Sequence, residues 1–163
     1  MEARDPCNIY TWQRLSDVVT TSGRLRESNI EDLAQLGVRH VIDLAPIEHE
    51  GALPNEGALL ADLGIEHTQI TVPFNQPEEE HYHAFVEAYE KGPIPVHVHC
   101  IYNYRVSAFF FRYHIERGMS EREARAIMNP HWTPDASDHP AARPWKEFIN
   151  AVLARHRQQQ KSA

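Results

Sequence analysis

The sequence predicts an α/β fold with a single, largely parallel central sheet of four to five strands flanked by helices. Three observations carry this expectation. Helix-like and strand-like segments alternate along the chain, several helices close on a glycine, and 163 residues with 42% hydrophobic content suffice for one full core.

The segments are taken in order. "DVVTTSG" near the start adds a candidate strand. In "SNIEDLAQLG", Ser28 and Glu31 have the spacing of a capping box, Ile30, Leu33 and Leu36 mark the apolar helical positions, and Gly37 ends the helix. "VRHVIDLA" follows as a strand. The unit recurs as helix "NEGALLADLG" with strand "IEHTQITV", then as a helix over 78–91 with strand "PVHVHC". "RVSAFFFRYHIERG" is apolar around most of its circumference, which predicts a buried helix. "SEREARAIMNP" opens on a second capping box, Ser120 with Glu123. "PWKEFINAVLARHR" starts with Pro144 at a tolerated first-turn position and completes a C-terminal helical cap.

Composition narrows the function. We expect one domain over 1–163 with its core at about 16–157 and fraying ends, including the polar residues after Arg157. The formal charge is 16 minus 23, or −7, without a basic block except near the end. That balance opposes a sequence-independent grip on nucleic acid. No run approaches the ~20 apolar residues of a membrane span. Two cysteines, Cys7 and Cys100, and an N-terminus without a secretory pattern predict a reducing, cytoplasmic setting.

The chemistry converges on "PVHVHCIYNYRVS". Cys100 closes a strand and Arg105 opens a helix, so the intervening backbone N–H groups can form an oxyanion cradle with a thiol at its floor. A helix N-terminus and a guanidinium favour the thiolate over the thiol, which makes a nucleophile.

"VHVHCIYNYRVS" resembles the His-Cys-x5-Arg-Ser/Thr signature of the cysteine-dependent protein tyrosine and dual-specificity phosphatases. The upstream pattern from "TTSGRLRESNIEDLAQLGVRHVIDL" through "IEHTQITVPF" is similar to a bacterial branch of that superfamily, formerly a domain of unknown function. The resemblance implies a tyrosine-phosphatase-like fold that hydrolyses phosphate monoesters through a cysteinyl-phosphate. It makes Cys100 the nucleophile and Arg105 the phosphate clamp. Ile101, Tyr102, Asn103 and Tyr104 complete the phosphate-binding loop, with His99 and Ser107 in support. It calls for no metal and no cofactor, and its partner is a phosphorylated substrate or another tetrahedral oxyanion.

This chain departs from the pattern in three places. The spacing is Cys-x4-Arg, the loop length of rhodanese-type sulfurtransferases, so a Cys100 persulfide and a non-catalytic phosphate or sulfate binder remain alternatives. Asn103 stands where a glycine is usual, and asparagine is the best substitute for a left-handed backbone. The stretch "TVPFNQPEEEHYH" lacks the aspartate that serves as general acid, leaving Glu78, Glu79, Glu80, His81 or His83 as stand-ins.

Neighbouring motifs read more blandly. His97 and His99 share one face of a strand and Cys100 faces the other way, so the three do not form a metal set. Tyr102 and Tyr104 either wall the pocket or pack the loop against the C-terminal helices. "NPHWTPDASDHP" reads as a structured connector or as part of the pocket rim.

Overall fold

The computed structural model describes residues 4–161. The strand leading to Cys100 lies in the middle of a five-stranded sheet. In chain order the strands are β1 (Gln13–Ser16), β2 (Val19–Ser22), β3 (His40–Asp43), β4 (Glu66–Gln69) and β5 (Val96–His99). Their spatial order is β1-β2-β5-β3-β4, parallel throughout except for the antiparallel β1–β2 pair. The predicted α/β class is therefore observed. β1 is the element that the sequence pattern did not single out: it is a four-residue edge strand with half its residues exposed, too short for a periodic signal.

The helices are α1 (Glu27–Gln35), α2 (Glu56–Asp62), α3 (Glu79–Lys91), α4 (Tyr104–Glu116), α5 (Glu121–Met128) and α6 (Arg143–Lys161), with 3-10 turns at Pro134–Ala136 and Pro140–Ala142. α1 starts earlier than expected: Arg26 is its N-cap, and the buried Asn29 carboxamide accepts the Arg26 N–H at 2.8 Å in place of the predicted Ser28–Glu31 box. The second predicted box is half present, as Ser120 Oγ accepts the Glu123 N–H at 3.1 Å. Gly37, Gly64 and Gly118 take positive φ at the helix ends, where a Cβ would be strained. α6 remains helical through Lys161, past the expected fraying point at Arg157; the outermost ends lie outside the described residues.

Strand alternation sorts the two faces. Val19, Ile42, Val96, Val98 and Cys100 join the larger core with Tyr82 and Phe85 of α3, Val106 and Ala108 through Phe111 of α4, Met128 of α5 and Trp145 of α6. The opposite face packs Val41 against Ile30 and Leu33 of α1 and Leu60 of α2. Fully burying each of Phe109, Phe110 and Phe111 stabilises the fold by roughly 2–3 kcal/mol. α4 is thereby fixed, and its N-terminus is aimed at the end of β5.

Candidate active site

The segment from Cys100 to Arg105 crosses from β5 into α4 and is held on both flanks. The Cys100 N–H donates to the Ser22 carbonyl at 3.4 Å, the Arg24 N–H to the Ile101 carbonyl at 3.0 Å, and the Leu44 N–H to the His99 carbonyl at 2.9 Å. Cys100 is 0% exposed, and its thiol sits on the larger-core side of the sheet. Among the described residues, no acceptor takes the backbone N–H groups of Ile101, Tyr102, Asn103, Tyr104 or Arg105. α4 has no acidic residue in its first turn, so its positive end is uncompensated beside this loop.

Arg105 is the second residue of α4 and only 6% exposed. Its guanidinium carbon lies 5.3 Å from the centre of the Phe74 ring, and its buried Nε has no hydrogen-bond partner. Among the described residues no carboxylate faces it. A buried cation in that condition costs several kcal/mol unless an anion completes it. The aromatic face holds the guanidinium plane and leaves its donor edges for an oxyanion.

Asn103 makes the turn between thiol and arginine. It is the N-cap of α4 with φ 66° and ψ 11°, the left-handed conformation expected where glycine is usual. Its Nδ2 donates to the Thr11 carbonyl at 3.0 Å and to Thr21 Oγ1 at 3.1 Å, tying the turn to β2. Ser107 lies in the first turn of α4, where its hydroxyl donates to the Tyr104 carbonyl at 3.1 Å. Tyr104 stacks on Trp132, with ring centres 4.4 Å apart and planes 8° apart, while Tyr102 remains 44% exposed.

Beneath the loop is a buried charge network. His99 Nε2 donates to Glu56 Oε2 at 2.8 Å, its Nδ1 to the Cys100 carbonyl at 3.2 Å, and Asp43 Oδ1 lies 3.8 Å from Nδ1. His67 Nε2 reaches the same Glu56 oxygen at 3.1 Å. Burial opposes charge on His99, yet Asp43 and Glu56 outweigh it and push the imidazole up to about 10. Burial likewise works against ionised Glu56, but His99 and His67 hold its carboxyl down to about 2. Burial dominates at Asp43 and raises its pKa. His97, on the same strand face, is pushed well below its ordinary value by burial and then by the His99 charge. It hydrogen-bonds Thr20 Oγ1 and Ser22 Oγ, each at 2.8 Å.

Asp43, Glu56 and His67 are also the group whose ligand atoms come within 4.8 Å of one another, the arrangement that could hold a metal. The shared Glu56 oxygen is already bonded to both histidines. Neither Glu56 nor Asp43 was legible in the sequence as part of the site, since no spacing rule joins them to Cys100.

The segment after β4 places Phe74, rather than an acid, against Arg105. Of the stand-ins for the missing aspartate, Glu78, Glu79, His81 and His83 are engaged elsewhere, His83 with Glu79 at 3.4 Å, and Glu80 is exposed on α3. Glu79 pairs with Arg112 at 2.7 and 2.9 Å, Glu78 caps α3 and accepts from Gln76, and His81 Nδ1 accepts the Glu78 N–H. The Asn129–Pro140 connector does reach the rim: Phe74, Tyr104, Trp132, His139 and Ala142 line a cavity of about 410 Å³. Asp135 within it is spent on Arg125, 2.7 Å away.

No family model and no curated protein matches the chain. Solved structures do. A DUF442 protein of Shewanella putrefaciens CN-32, described as a candidate phosphatase, is 28% identical over 90% of this chain and 91% of its own, with a TM-score of 0.74. The fold is that of the tyrosine and dual-specificity phosphatases. A candidate phosphatase of Neisseria meningitidis z2491 shares this phosphatase-like fold at 19% identity and TM-score 0.66, over 85% of this chain and 96% of its own. So does a cysteine-to-serine variant of Pseudomonas aeruginosa TpbA in complex with phosphotyrosine, at 16% identity and TM-score 0.60, over 88% and 90% of the two chains. The phosphatase-like neighbours do not favour the sulfurtransferase or non-catalytic alternatives. Among the described residues, no helix is long and apolar enough to cross a membrane.

Proposed function

We propose that this protein hydrolyses phosphate monoesters through a cysteinyl-phosphate on Cys100. Cys100 Sγ attacks phosphorus and the P–O bond to the alcohol breaks. Arg105 and the N–H groups of 101–105 hold the non-bridging oxygens, and water then cleaves the S–P bond to release inorganic phosphate. The observation that carries this reading is Arg105: a buried guanidinium without a carboxylate partner, five residues along the same loop from the thiol, beside five uncommitted N–H groups. The imidazolium of His99 lies under the cradle, where its Nδ1 donates to the Cys100 carbonyl.

Several details follow from the same reading. Ser107 supports the sulfur leaving group in the second step, within the limits set by its bond to the Tyr104 carbonyl. The cavity beside Tyr104 and Trp132 lodges the organic part of an aromatic ester. A reducing, cytoplasmic compartment keeps both free cysteines as thiols. A single domain of net charge −7 has no call for nucleic acid or a membrane surface.

The test is turnover of para-nitrophenyl phosphate by the parent, Cys100→Ser and Arg105→Lys. Parent activity is expected to vanish in Cys100→Ser and to fall at least about 100-fold in Arg105→Lys, which cannot make the bidentate contact. Rapid acid quenching should trap phosphate on Cys100. Undiminished hydrolysis by Cys100→Ser, or Cys100-dependent thiocyanate formation from thiosulfate and cyanide, overturns the proposal.

A further inference from the structure

A second cavity, of about 480 Å³, opens on the other flank of the loop and is lined by Cys7, Asn8, Ile9, Tyr10, Arg24 and Arg26. Its central group is the Arg24 guanidinium, with its carbon 4.7 Å from the centre of the Tyr10 ring and 5.5 Å from that of Tyr102. The two tyrosines are 43% and 44% exposed and meet edge to face, with centres 6.1 Å apart. They restrain a long side chain that would otherwise lose conformational entropy on binding.

What matters at this cavity is that the Arg24 guanidinium is left free between the two rings. In a chain with seven more acidic than basic residues, Arg14, Arg112, Arg117 and Arg125 each hold a carboxylate oxygen at 2.5–2.7 Å. The Arg24 guanidinium has neither a carboxylate nor any other hydrogen-bond acceptor among the described residues. Arg26, at the same cavity, donates to the Asn8 carbonyl at 3.0 Å and adds a second positive charge. Arg24 is also coupled to the cradle: its own N–H holds the Ile101 carbonyl, and its guanidinium lies against the ring of Tyr102, a residue of the loop.

We infer that the Arg24 cavity is a second oxyanion subsite, and that the preferred substrate is a phosphate monoester bearing a second phosphate or carboxylate. This rests on the phosphatase reading for the first phosphate and adds the class of molecule that the site selects. A planar guanidinium restrained by aromatic rings offers paired donors to such a group. The negative charge of the rest of the protein makes this local cation pair the place where a second anion gains rather than loses.

Binding is measured with the non-hydrolysing Cys100→Ser protein by calorimetry, using phenyl phosphate, 3-carboxyphenyl phosphate and resorcinol bisphosphate. The two probes that carry an anionic substituent are expected to bind about tenfold more tightly than phenyl phosphate. Adding Arg24→Gln should abolish that difference while moving phenyl phosphate less than twofold. The advantage for the bisphosphate alone marks phosphate as the second group, and equal advantages mark any oxyanion. Arg24→Lys, which keeps charge but not the planar fork, should retain part of the advantage and serves if Arg24→Gln does not fold. Equal affinity for all three probes, or an Arg24→Gln loss shared by phenyl phosphate, overturns the subsite and leaves the phosphatase reading intact. Absence of binding to every ester, with no turnover by the parent, sinks the phosphatase reading itself.

Discussion

His99 Nε2 lies 2.8 Å from Glu56 Oε2, a buried contact between residues 43 apart in the chain. With both ring nitrogens donating, His99 is an imidazolium held directly under the Cys100 carbonyl.

The pair predicts a definite pH dependence. His99 is raised above its ordinary value to about 10, so its contribution to stability is fully present below pH ~6.5 and is lost as pH rises through 10. Glu56 is depressed to about 2, so its contribution is present above pH ~4.5 and is lost as pH falls through 2. Thermal melts should show a plateau between about pH 4.5 and 6.5. In Glu56→Gln the alkaline decline should be smaller and end at lower pH, because the carboxylate that hydrogen-bonds His99 is gone. Superimposable alkaline limbs in the two proteins would refute the pairing.

Asn103 is a position where backbone conformation and hydrogen bonding separate. Asn103→Gly keeps the left-handed φ and loses only the side-chain bonds to Thr11, Thr21 and His131. Asn103→Ala loses both, adding about 1–2 kcal/mol for the strained backbone. The alanine variant should therefore melt several degrees below the glycine variant, and phosphate affinity should follow the same order.

Gly23 passes so close to the loop that an added Cβ would stand 2.5 Å from the Ile101 carbonyl oxygen and 2.7 Å from Thr11 Oγ1. One of these is backbone of the cradle itself and cannot swing aside. Gly23→Ala should lower the melting temperature and weaken phosphate binding at least fivefold; calorimetric titration with inorganic phosphate reads the second effect directly.

The leaving group should depend strongly on its own acidity. With Phe74 against Arg105 and Glu79 held by Arg112, no carboxylic acid from the segment after β4 is placed to protonate it. Rates on para-nitrophenyl phosphate should exceed those on phenyl phosphate by about 10²-fold or more. Glu79→Gln should leave that ratio unchanged. A flat dependence on leaving-group pKa would reveal a general acid from elsewhere in the chain.

The parts legible in the sequence were those set by local order. Strand alternation put Cys100 opposite His97 and His99, the strand-to-helix junction brought Cys100 and Arg105 to one loop, and the chemistry of asparagine at a left-handed turn anticipated Asn103. Expectations that depended on reach fared differently. Glu31 was expected to cap α1, but a buried Asn29 does so, and of the glutamates offered as acids Glu78 and Glu79 are spent on α3's own capping and on Arg112.

By itself, then, the sequence determined an α/β sheet with a thiol and a guanidinium five residues apart at its carboxyl end, because periodicity and turn chemistry act over a few residues. Only the tertiary structure decided that Glu56 from α2 charges His99, that Phe74 rather than an acid meets Arg105, and that Arg24 stands uncompensated between Tyr10 and Tyr102. Burial removes water and makes each of those charges answer to whichever side chain packs beside it, and no spacing rule along the chain names that neighbour.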